Sequence, residues 1–167
     1  MKVFSVPAEV MCDPQLNITS ILERRCADTT NPLLYRWQMS PGNWQPVAGR
    51  ALRVRGVAGG GVSQLGSETP VRARVFRAMV VAVAKGLIAS GIVPGDRIGI
   101  MSRTRFEWTL IDFAIWYAGA VSVPVYETSA PAQAAWALSH SEAKAVFVED
   151  DKLAGVIEQA ISIEPLH

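Results

Sequence analysis

Residues 95–150 alternate between short apolar segments and helical patterns, and this alternation constrains the fold more than any other feature. Segments rich in β-branched residues predict strands at 97–101, 121–126 and 145–148. Helical patterns fill both intervals, and the first has apolar residues at three- and four-residue steps. Strands joined by helices of this length form parallel sheets with right-handed crossovers. The sequence therefore predicts an α/β fold with a partial parallel sheet of βαβαβ units.

The residues at the ends of the two helices predict their limits. Thr104 and Glu107 have the spacing of a capping box, in which each side chain satisfies a backbone N–H at the helix start. Gly119 fits the position just beyond the first helix, where a left-handed backbone favours glycine. Ser129 is the predicted cap of the second helix, over residues 130–139.

The part of the chain before the sheet divides into two segments of different character. Residues 1–48 predict a helix at 21–27 and a small β-hairpin in which residues 33–38 pair with 44–47. Residues 49–70 are rich in glycine and arginine and lack hydrophobic periodicity, which predicts a loop or a locally disordered insert.

Residues 71–167 form the predicted α/β subdomain. A helix should run from Val71 to near Ser90-Gly91, and a last helix, over 152–161, should be capped by Asp151. Four aromatic residues of this subdomain should lack packing partners within it, so we expect marginal stability with self-association or docking to a complementary segment. These residues are Phe113, Trp116, Tyr117 and Trp136.

Composition excludes several classes of protein and partner. A net charge of +1 gives no reason to expect nucleic acid. The spacing of Cys12 and Cys26 matches no zinc or redox motif, and two reduced thiols indicate a cytoplasmic protein. The N-terminus lacks a signal-peptide pattern. The longest nearly uncharged run, 110–126, is too short for a transmembrane span, although peripheral membrane contact stays open.

Polar residues at the predicted carboxyl ends of the strands are the candidate ligand contacts, because open parallel sheets bind ligands there. Arg103 or Arg105 could meet an anion at the following helix N-terminus, but ordinary ion pairs are the favoured interpretation. The other two ends carry Glu127-Thr128-Ser129, which favours a turn and cap, and Glu149-Asp150-Asp151.

Known catalytic patterns are not matched. No Lys-Ser or Lys-Thr follows Gly59-Gly60-Gly61, so a P-loop is excluded in favour of a linker. His140 and His167 have no partner at metal-ligand spacing, and His140 fits a turn or cap. The sequence therefore predicts no catalytic, cofactor-binding or metal-ligating residue.

Several motifs within 94–150 carry a resemblance to a known family. They resemble the amino-terminal part of long-chain fatty-acid–CoA ligases, which are adenylate-forming, AMP-binding enzymes. The motifs are Pro94-Gly95-Asp96-Arg97, Arg105-Phe106-Glu107-Trp108, Gly119-Ala120-Val121, Val123-Pro124-Val125-Tyr126-Glu127-Thr128-Ser129 and Ser141-Glu142-Ala143.

The resemblance implies a two-step reaction in the full-length family. A fatty acid is joined to AMP from ATP with release of pyrophosphate, and the acyl group then passes to coenzyme A. ATP, magnesium and coenzyme A serve the full-length enzymes. The family's phosphate loop ending in Pro-Lys-Gly does not occur in this sequence, so none of these cofactors is expected for this chain alone.

The resemblance leaves three functional hypotheses. The chain is a fragment of such a ligase, inactive alone; or it is an interaction module that complements a separately encoded remainder; or it is a small nucleotide-binding α/β domain. The arginine–glycine bias of residues 49–77 departs from the family and suggests an out-of-frame stretch in a damaged or split ligase gene.

Overall fold

The computed structural model describes residues 17–30, 33–37 and 69–166. Five helices and five strands lie in these residues. In chain order they are α1 (Ile18–Ala27), β1 (Leu33–Trp37), β2 (Thr69–Arg72), α2 (Ala73–Ala89), β3 (Arg97–Met101), α3 (Phe106–Tyr117), β4 (Val121–Val125), α4 (Pro131–His140), β5 (Ala143–Val148) and α5 (Asp151–Ile163).

Three parallel strands form the predicted sheet, in the order β4-β3-β5. Arg97 lies opposite Val121 on one side of β3 and opposite Ala143 on the other. The entry to β3 is fastened to the end of α3, since the Gly95 N–H donates to the Gly119 carbonyl over 2.9 Å. The α/β fold with βαβαβ connectivity is thereby confirmed.

Two apolar clusters cover the two faces of the sheet. One joins α2 and α3 to alternate residues of β3 and β5, including Ile98, Ile100 and Phe147. The other joins α4 and α5 to the remaining strand residues, including Met101 and Val148. Because successive strand side chains point to opposite faces, one short strand supplies both cores. The result is a three-layer α/β/α arrangement.

The N-terminal helix α1 packs against the outer side of the α2–α3 layer through Leu22, which is buried. It begins at Ile18, three residues before its predicted start, because Asn17 caps it: the Ser20 N–H donates to Asn17 Oδ1 over 3.0 Å.

The strand β1 was correctly placed, but its described partner differs from the predicted one. Leu33–Trp37 pairs antiparallel with Thr69–Arg72. The predicted partner, 44–47, and most of the predicted insert, 49–68, lie outside the described residues. Val71 belongs to β2, so the prediction that a helix starts there was wrong, and α2 starts at Ala73. The helix ends at Ala89, next to the predicted end near Ser90-Gly91.

The predicted helix caps were each wrong by one residue. The N-cap of α3 is Arg105, without a side-chain cap, so the Thr104–Glu107 capping box does not form. Ala130 rather than Ser129 precedes α4, and its N–H donates to Gln133 Oε1 over 2.9 Å.

The last helix and the strand before it also differ at their ends. Asp150, not Asp151, caps α5, accepting from the Leu153 N–H over 2.9 Å. The strand β5 begins at Ala143, two residues before its predicted start. The glycine prediction was confirmed: Gly119, with φ +76°, follows α3 in the left-handed region.

All four aromatic residues predicted to lack partners contact another side chain of the described residues, Trp136 through His140 of its own helix. Phe113 contacts Phe76 edge to face, with ring centroids 5.6 Å apart, and Trp116 contacts Phe113 at 5.1 Å. The Tyr117 hydroxyl donates to Glu23 Oε1 of α1 over 2.8 Å. Trp136 alone of the four is strongly exposed, at 65%.

Candidate functional site at the carboxyl ends of the strands

The carboxyl ends of β3, β4 and β5 meet at one edge of the sheet, as the parallel arrangement requires. Ser102 and Arg103 follow β3, and Glu149 follows β5, its neighbour. The Glu149 N–H donates to the Met101 carbonyl over 3.2 Å, which extends the pairing of these strands into the turn. The backbone of the candidate site is therefore held by the sheet itself.

Glu149 is the centre of the polar contacts at this edge. It is only 3% exposed, and its carboxylate accepts from the Arg103 backbone N–H over 2.8 Å. The Arg103 guanidinium donates to the same carboxylate at 2.6 Å, and Arg105 Nη1 donates at 3.1 Å. Arg103 contributes most to lowering the pKa of Glu149 to about 2. Glu149 is therefore an anion at neutral pH and takes up a proton only in strong acid.

Arg105 lies between two carboxylates. It donates to both oxygens of Glu107, over 2.6 and 2.9 Å, while also contacting Glu149. Its side chain is 14% exposed, whereas that of Arg103 is 67% exposed. The two guanidinium groups thus face two carboxylates, and the cluster has no net charge. The favoured interpretation of both arginines as ion-pair partners is confirmed.

The third strand end contributes a turn. Residues 127 and 128 form it, and the Ser129 N–H closes it by donating to the Tyr126 carbonyl over 3.0 Å. Tyr126 itself is 81% exposed. Glu127-Thr128-Ser129 therefore has the predicted turn conformation, without the predicted capping role for Ser129.

The amino ends of the strands carry a second polar cluster. The Asp96 carboxylate, 6% exposed, accepts from the Val93 N–H over 2.8 Å and pairs with Lys144 Nζ over 2.7 Å. These contacts, that with Lys144 first, hold the pKa of Asp96 below its usual range. Arg97 pairs with Glu142 and donates to the Ser141 carbonyl over 2.7 Å. This cluster joins β3 to β5 and is structural.

One buried polar residue was not predicted from the sequence. Asp112 of α3 is 6% exposed, and its Oδ1 has no hydrogen-bond partner. Burial raises the pKa of this carboxyl, and the Ser122 side chain of β4 opposes the shift. A single aspartate within an apolar helix stripe was the available signal.

The histidine and cysteine residues considered from the sequence form no metal site within the described residues. His140 ends α4 and stacks on Trp136, with ring centroids 4.9 Å apart. Cys26 is a free thiol, and burial raises its pKa.

Within 17–30, 33–37 and 69–166, no group of three or more His, Cys, Asp or Glu could hold a metal ion. No helix in the same ranges is long and apolar enough to cross a membrane. Cys12 and His167 lie outside the described residues.

Comparisons with known proteins agree on one family. Residues 73–166, more than half of the chain, match the family described as AMP-binding enzyme. Two relatives are long-chain-fatty-acid–CoA ligases named FadD15, from Mycobacterium bovis and Mycobacterium tuberculosis. Each is 49% identical over 78 residues, 47% of this chain. The chain spans 13% of the length of these relatives.

Solved structures of similar proteins share the fold. A benzoate CoA ligase from Burkholderia xenovorans LB400 superposes with a TM-score of 0.54 at 22% identity, over 59% of this chain and 20% of that one. A Mycobacterium tuberculosis fatty acyl CoA synthetase has a TM-score of 0.51 at 26% identity, over 55% of this chain and 18% of that one. The α/β/α arrangement is thus the one found in part of these larger proteins.

Proposed function

Because the chain belongs to the AMP-binding enzyme family, we propose that it supplies the amino-terminal α/β subdomain of a long-chain fatty-acid–CoA ligase. The observation that carries this proposal is the 49% identity to FadD15 over 78 residues. The assembled enzyme would convert a fatty acid, ATP and coenzyme A to acyl-CoA, AMP and pyrophosphate through an acyl-adenylate. ATP, magnesium and coenzyme A belong to that assembled enzyme.

The role of this chain within such a ligase is to form a scaffold. Glu149 fixes the turn after β3 by accepting from both the backbone and the side chain of Arg103. A rigid turn at the carboxyl end of a parallel sheet positions neighbouring segments where ligands bind in this fold class. The chemistry of the described residues supports positioning rather than bond making.

We further propose that the chain is inactive alone. Stabilising the charge of a transferring phosphoryl group requires cations that are available to it. The guanidinium groups of Arg103 and Arg105 are instead neutralised by Glu149 and Glu107. This pairing favours a scaffold that does not turn over substrate.

The first experiment is fatty-acid-dependent release of pyrophosphate by the purified chain, supplied with ATP, magnesium, coenzyme A and palmitate. We expect no release above the background without palmitate. A rate that is proportional to the amount of chain and survives repeated purification would contradict inactivity. FadD15 measured in parallel confirms that the assay detects a ligase.

The alternative is that the chain acts as a complementing module for a separately made remainder. Among the described strands β4 pairs on one side only, which favours this alternative, because a free strand edge can pair with further chain. Co-expression with FadD15 that lacks its aligned segment tests it: restored acyl-CoA formation supports complementation. The competing possibility is that the chain self-associates through the same edge, which analytical sedimentation of the isolated chain would detect.

The remaining parts of the proposal concern ligands and location. A small nucleotide-binding domain would bind ATP tightly without a partner, and equilibrium dialysis decides that point; we expect no binding. We place the protein in the cytoplasm, without nucleic-acid partners and with at most peripheral membrane contact. Fractionation of cells that express a tagged chain tests this location.

A further inference from the structure

Asp112 differs from the other buried carboxylates of the described residues because no cation pairs with it. Asp96 is equally buried, at 6% exposed, but pairs with Lys144 Nζ over 2.7 Å. Glu149, at 3% exposed, accepts from two arginine side chains. None of the ion pairs among the described residues includes Asp112, and its Oδ1 has no hydrogen-bond partner. In such surroundings an ionised carboxyl is costly, whereas the neutral acid is tolerated.

The elements packed against α3 do not supply the missing charge. The main packing partners of α3 are α1, α2, β3 and β4. The charged or titratable side chains of these elements and of α3 are Glu23, Arg24, Arg25, Cys26, Arg74, Arg77, Lys85, Arg97, Glu107 and Tyr117. Several have partners of their own, as where Glu23 accepts from Arg77 and Tyr117 over 2.7 and 2.8 Å. Two influences act on the pKa of Asp112: burial raises it, and the Ser122 side chain lowers it by a smaller amount.

Ser122 supplies the polar contact to Asp112 from the neighbouring strand, β4. A serine hydroxyl donates to a carboxylate and accepts from a protonated carboxyl, so this contact persists in both states of Asp112. Oδ1 lacks a donor in either state, which leaves the ionised form short of hydrogen bonds. The neutral acid is therefore the form that the contact between α3 and β4 accommodates better.

Polar contacts fasten both ends of α3. At its start Glu107 pairs with Arg105 over 2.6 Å, and just beyond its end the Gly119 carbonyl accepts from the Gly95 N–H over 2.9 Å. Asp112 lies about midway between these points. A change of charge at Asp112 therefore acts on the middle of the helix, while the ends stay in place.

We propose that Asp112 is a pH-sensitive switch of the contact between α3 and β4. With a proton, the carboxyl stays buried beside Ser122 and the helix rests on the strand. Without the proton, the carboxylate requires water, and the contact loosens to admit it. The half-buried Trp108 and Trp116 lie four residues before and after Asp112, so they border the side from which water enters. Because α3 also carries Glu107, the switch adjoins the polar cluster at the carboxyl ends of the strands.

Titration of the Asp112 carboxyl carbon tests the switch directly, by NMR on the ¹³C-labelled chain with the signal assigned through Asp112→Asn. We expect a midpoint above the ordinary aspartate value of 3.8. Asp96 is the matched control, since it is equally buried but paired with Lys144, and its midpoint should lie below 3.8. A midpoint for Asp112 at or below 3.8 would overturn the proposal.

Ser122→Ala distinguishes a hydrogen-bonding partner from a side chain that merely lies nearby. Loss of the hydroxyl removes the influence that lowers the pKa of Asp112, so the Asp112 midpoint should move to higher pH. The Asp96 midpoint should stay where it is. If the Asp112 midpoint does not move either, Ser122 is not its partner and the switch does not lie between α3 and β4.

Amide hydrogen exchange shows whether the contact opens. Asp112→Asn resembles the neutral acid in shape and cannot ionise. Above the Asp112 midpoint, the α3 amides of the parent chain should exchange faster than those of Asp112→Asn at the same pH, and below it the two should agree. The helix α5, which packs on the opposite face of the sheet, should show no difference. Equal exchange in α3 at every pH would refute the switch, even with the expected titration.

The stability of the chain should depend on pH with a definite sign. Native Asp112 binds its proton more tightly than the unfolded chain does, so its contribution is fully present below pH 3.8 and is lost as the pH rises through the native midpoint. The Tm of Asp112→Asn, relative to the parent, should therefore rise from about pH 4 to about pH 7. A constant or falling difference would contradict the proposal. None of these measurements depends on the activity of an assembled ligase.

Discussion

Gly99 is the position where one added carbon should disturb the fold most clearly. It is the buried middle residue of the central strand β3. A Cβ at this position would lie 2.6 Å from Leu138 Cδ2 and 2.9 Å from Val146 Cγ2. Since carbon atoms pack at about 3.5–4.0 Å, the new methyl group would be at least about 0.9 Å too close to Leu138 and at least about 0.6 Å too close to Val146.

The cost of Gly99→Ala follows from which neighbour can move. Leu138 can rotate its far end, but the branched side chain of Val146 is stiff and stands on the adjacent strand. Overpacking of this kind costs about 1–3 kcal/mol, and the lower chain entropy of alanine returns about 0.5–1 kcal/mol. We expect a net loss of up to about 2.5 kcal/mol, or up to about 10 °C in Tm for a chain of this length.

Urea denaturation, monitored by circular dichroism, measures the loss in the free energy of unfolding. Gly155→Ala is the control, because a Cβ there has nothing within 4 Å and the residue lies inside α5. It should stabilise the chain by about 0.5–1 kcal/mol. Adding Val146→Ala to Gly99→Ala should recover part of the loss in a double-mutant cycle. If Gly99→Ala proves as stable as Gly155→Ala, the packing of α4 on β3 is not as described.

Three further substitutions test the polar contacts. Glu149→Gln should destabilise the chain by about 2–3 kcal/mol at pH 7, since the native carboxylate has its pKa lowered to about 2. That stabilisation is present above the ordinary pKa of 4.5 and is lost as the pH falls toward 2, so urea titrations of the two proteins should converge in acid. Tyr117→Phe removes the donor to Glu23 and should cost about 0.5–1.5 kcal/mol; the same substitution beside Glu23→Ala, which removes the acceptor, should then cost little. Asp150→Ala removes the acceptor for the Leu153 N–H and should cost about 1 kcal/mol by thermal denaturation, whereas Asp150→Asn should cost far less.

The sheet could be predicted because the same pattern, a short apolar segment followed by a helical interval, is repeated along the chain. Three apolar segments with helical intervals admit few arrangements, and the right-handed crossover rule removes most of those. Gly119 could be placed for a local reason, since only glycine takes a φ of +76° without strain. Periodicity and backbone sterics are properties of neighbouring residues, which a sequence displays directly.

The helix caps were missed because tertiary contacts override local spacing. Glu107 could have capped α3 from the spacing of Thr104, but its carboxylate is held by Arg105 instead. Arg105 is held in turn by Glu149, which lies 44 residues further along the chain. No local pattern encodes that pairing, because it depends on which strands become neighbours in the sheet.

The pairing of β1 with β2 was missed for a similar reason. Thr69–Arg72 is short, contains Pro70 and follows a segment rich in glycine, so its composition indicates a loop. Its strand conformation comes from a partner more than 30 residues earlier. The orphaned Oδ1 of Asp112 is likewise visible only once α3 is packed over β4.

Acyl-CoA formation by a chimera tests the central claim most directly, because it asks whether this chain can serve as part of a ligase. The chimera is FadD15 of Mycobacterium tuberculosis with its aligned segment replaced by that of this chain. The account predicts a rate within about tenfold of that of FadD15, a difference of about 1.4 kcal/mol in transition-state stabilisation. The chain alone should give no acyl-CoA under the same conditions. A chimera that folds with the Tm of FadD15 but forms no acyl-CoA would contradict the account.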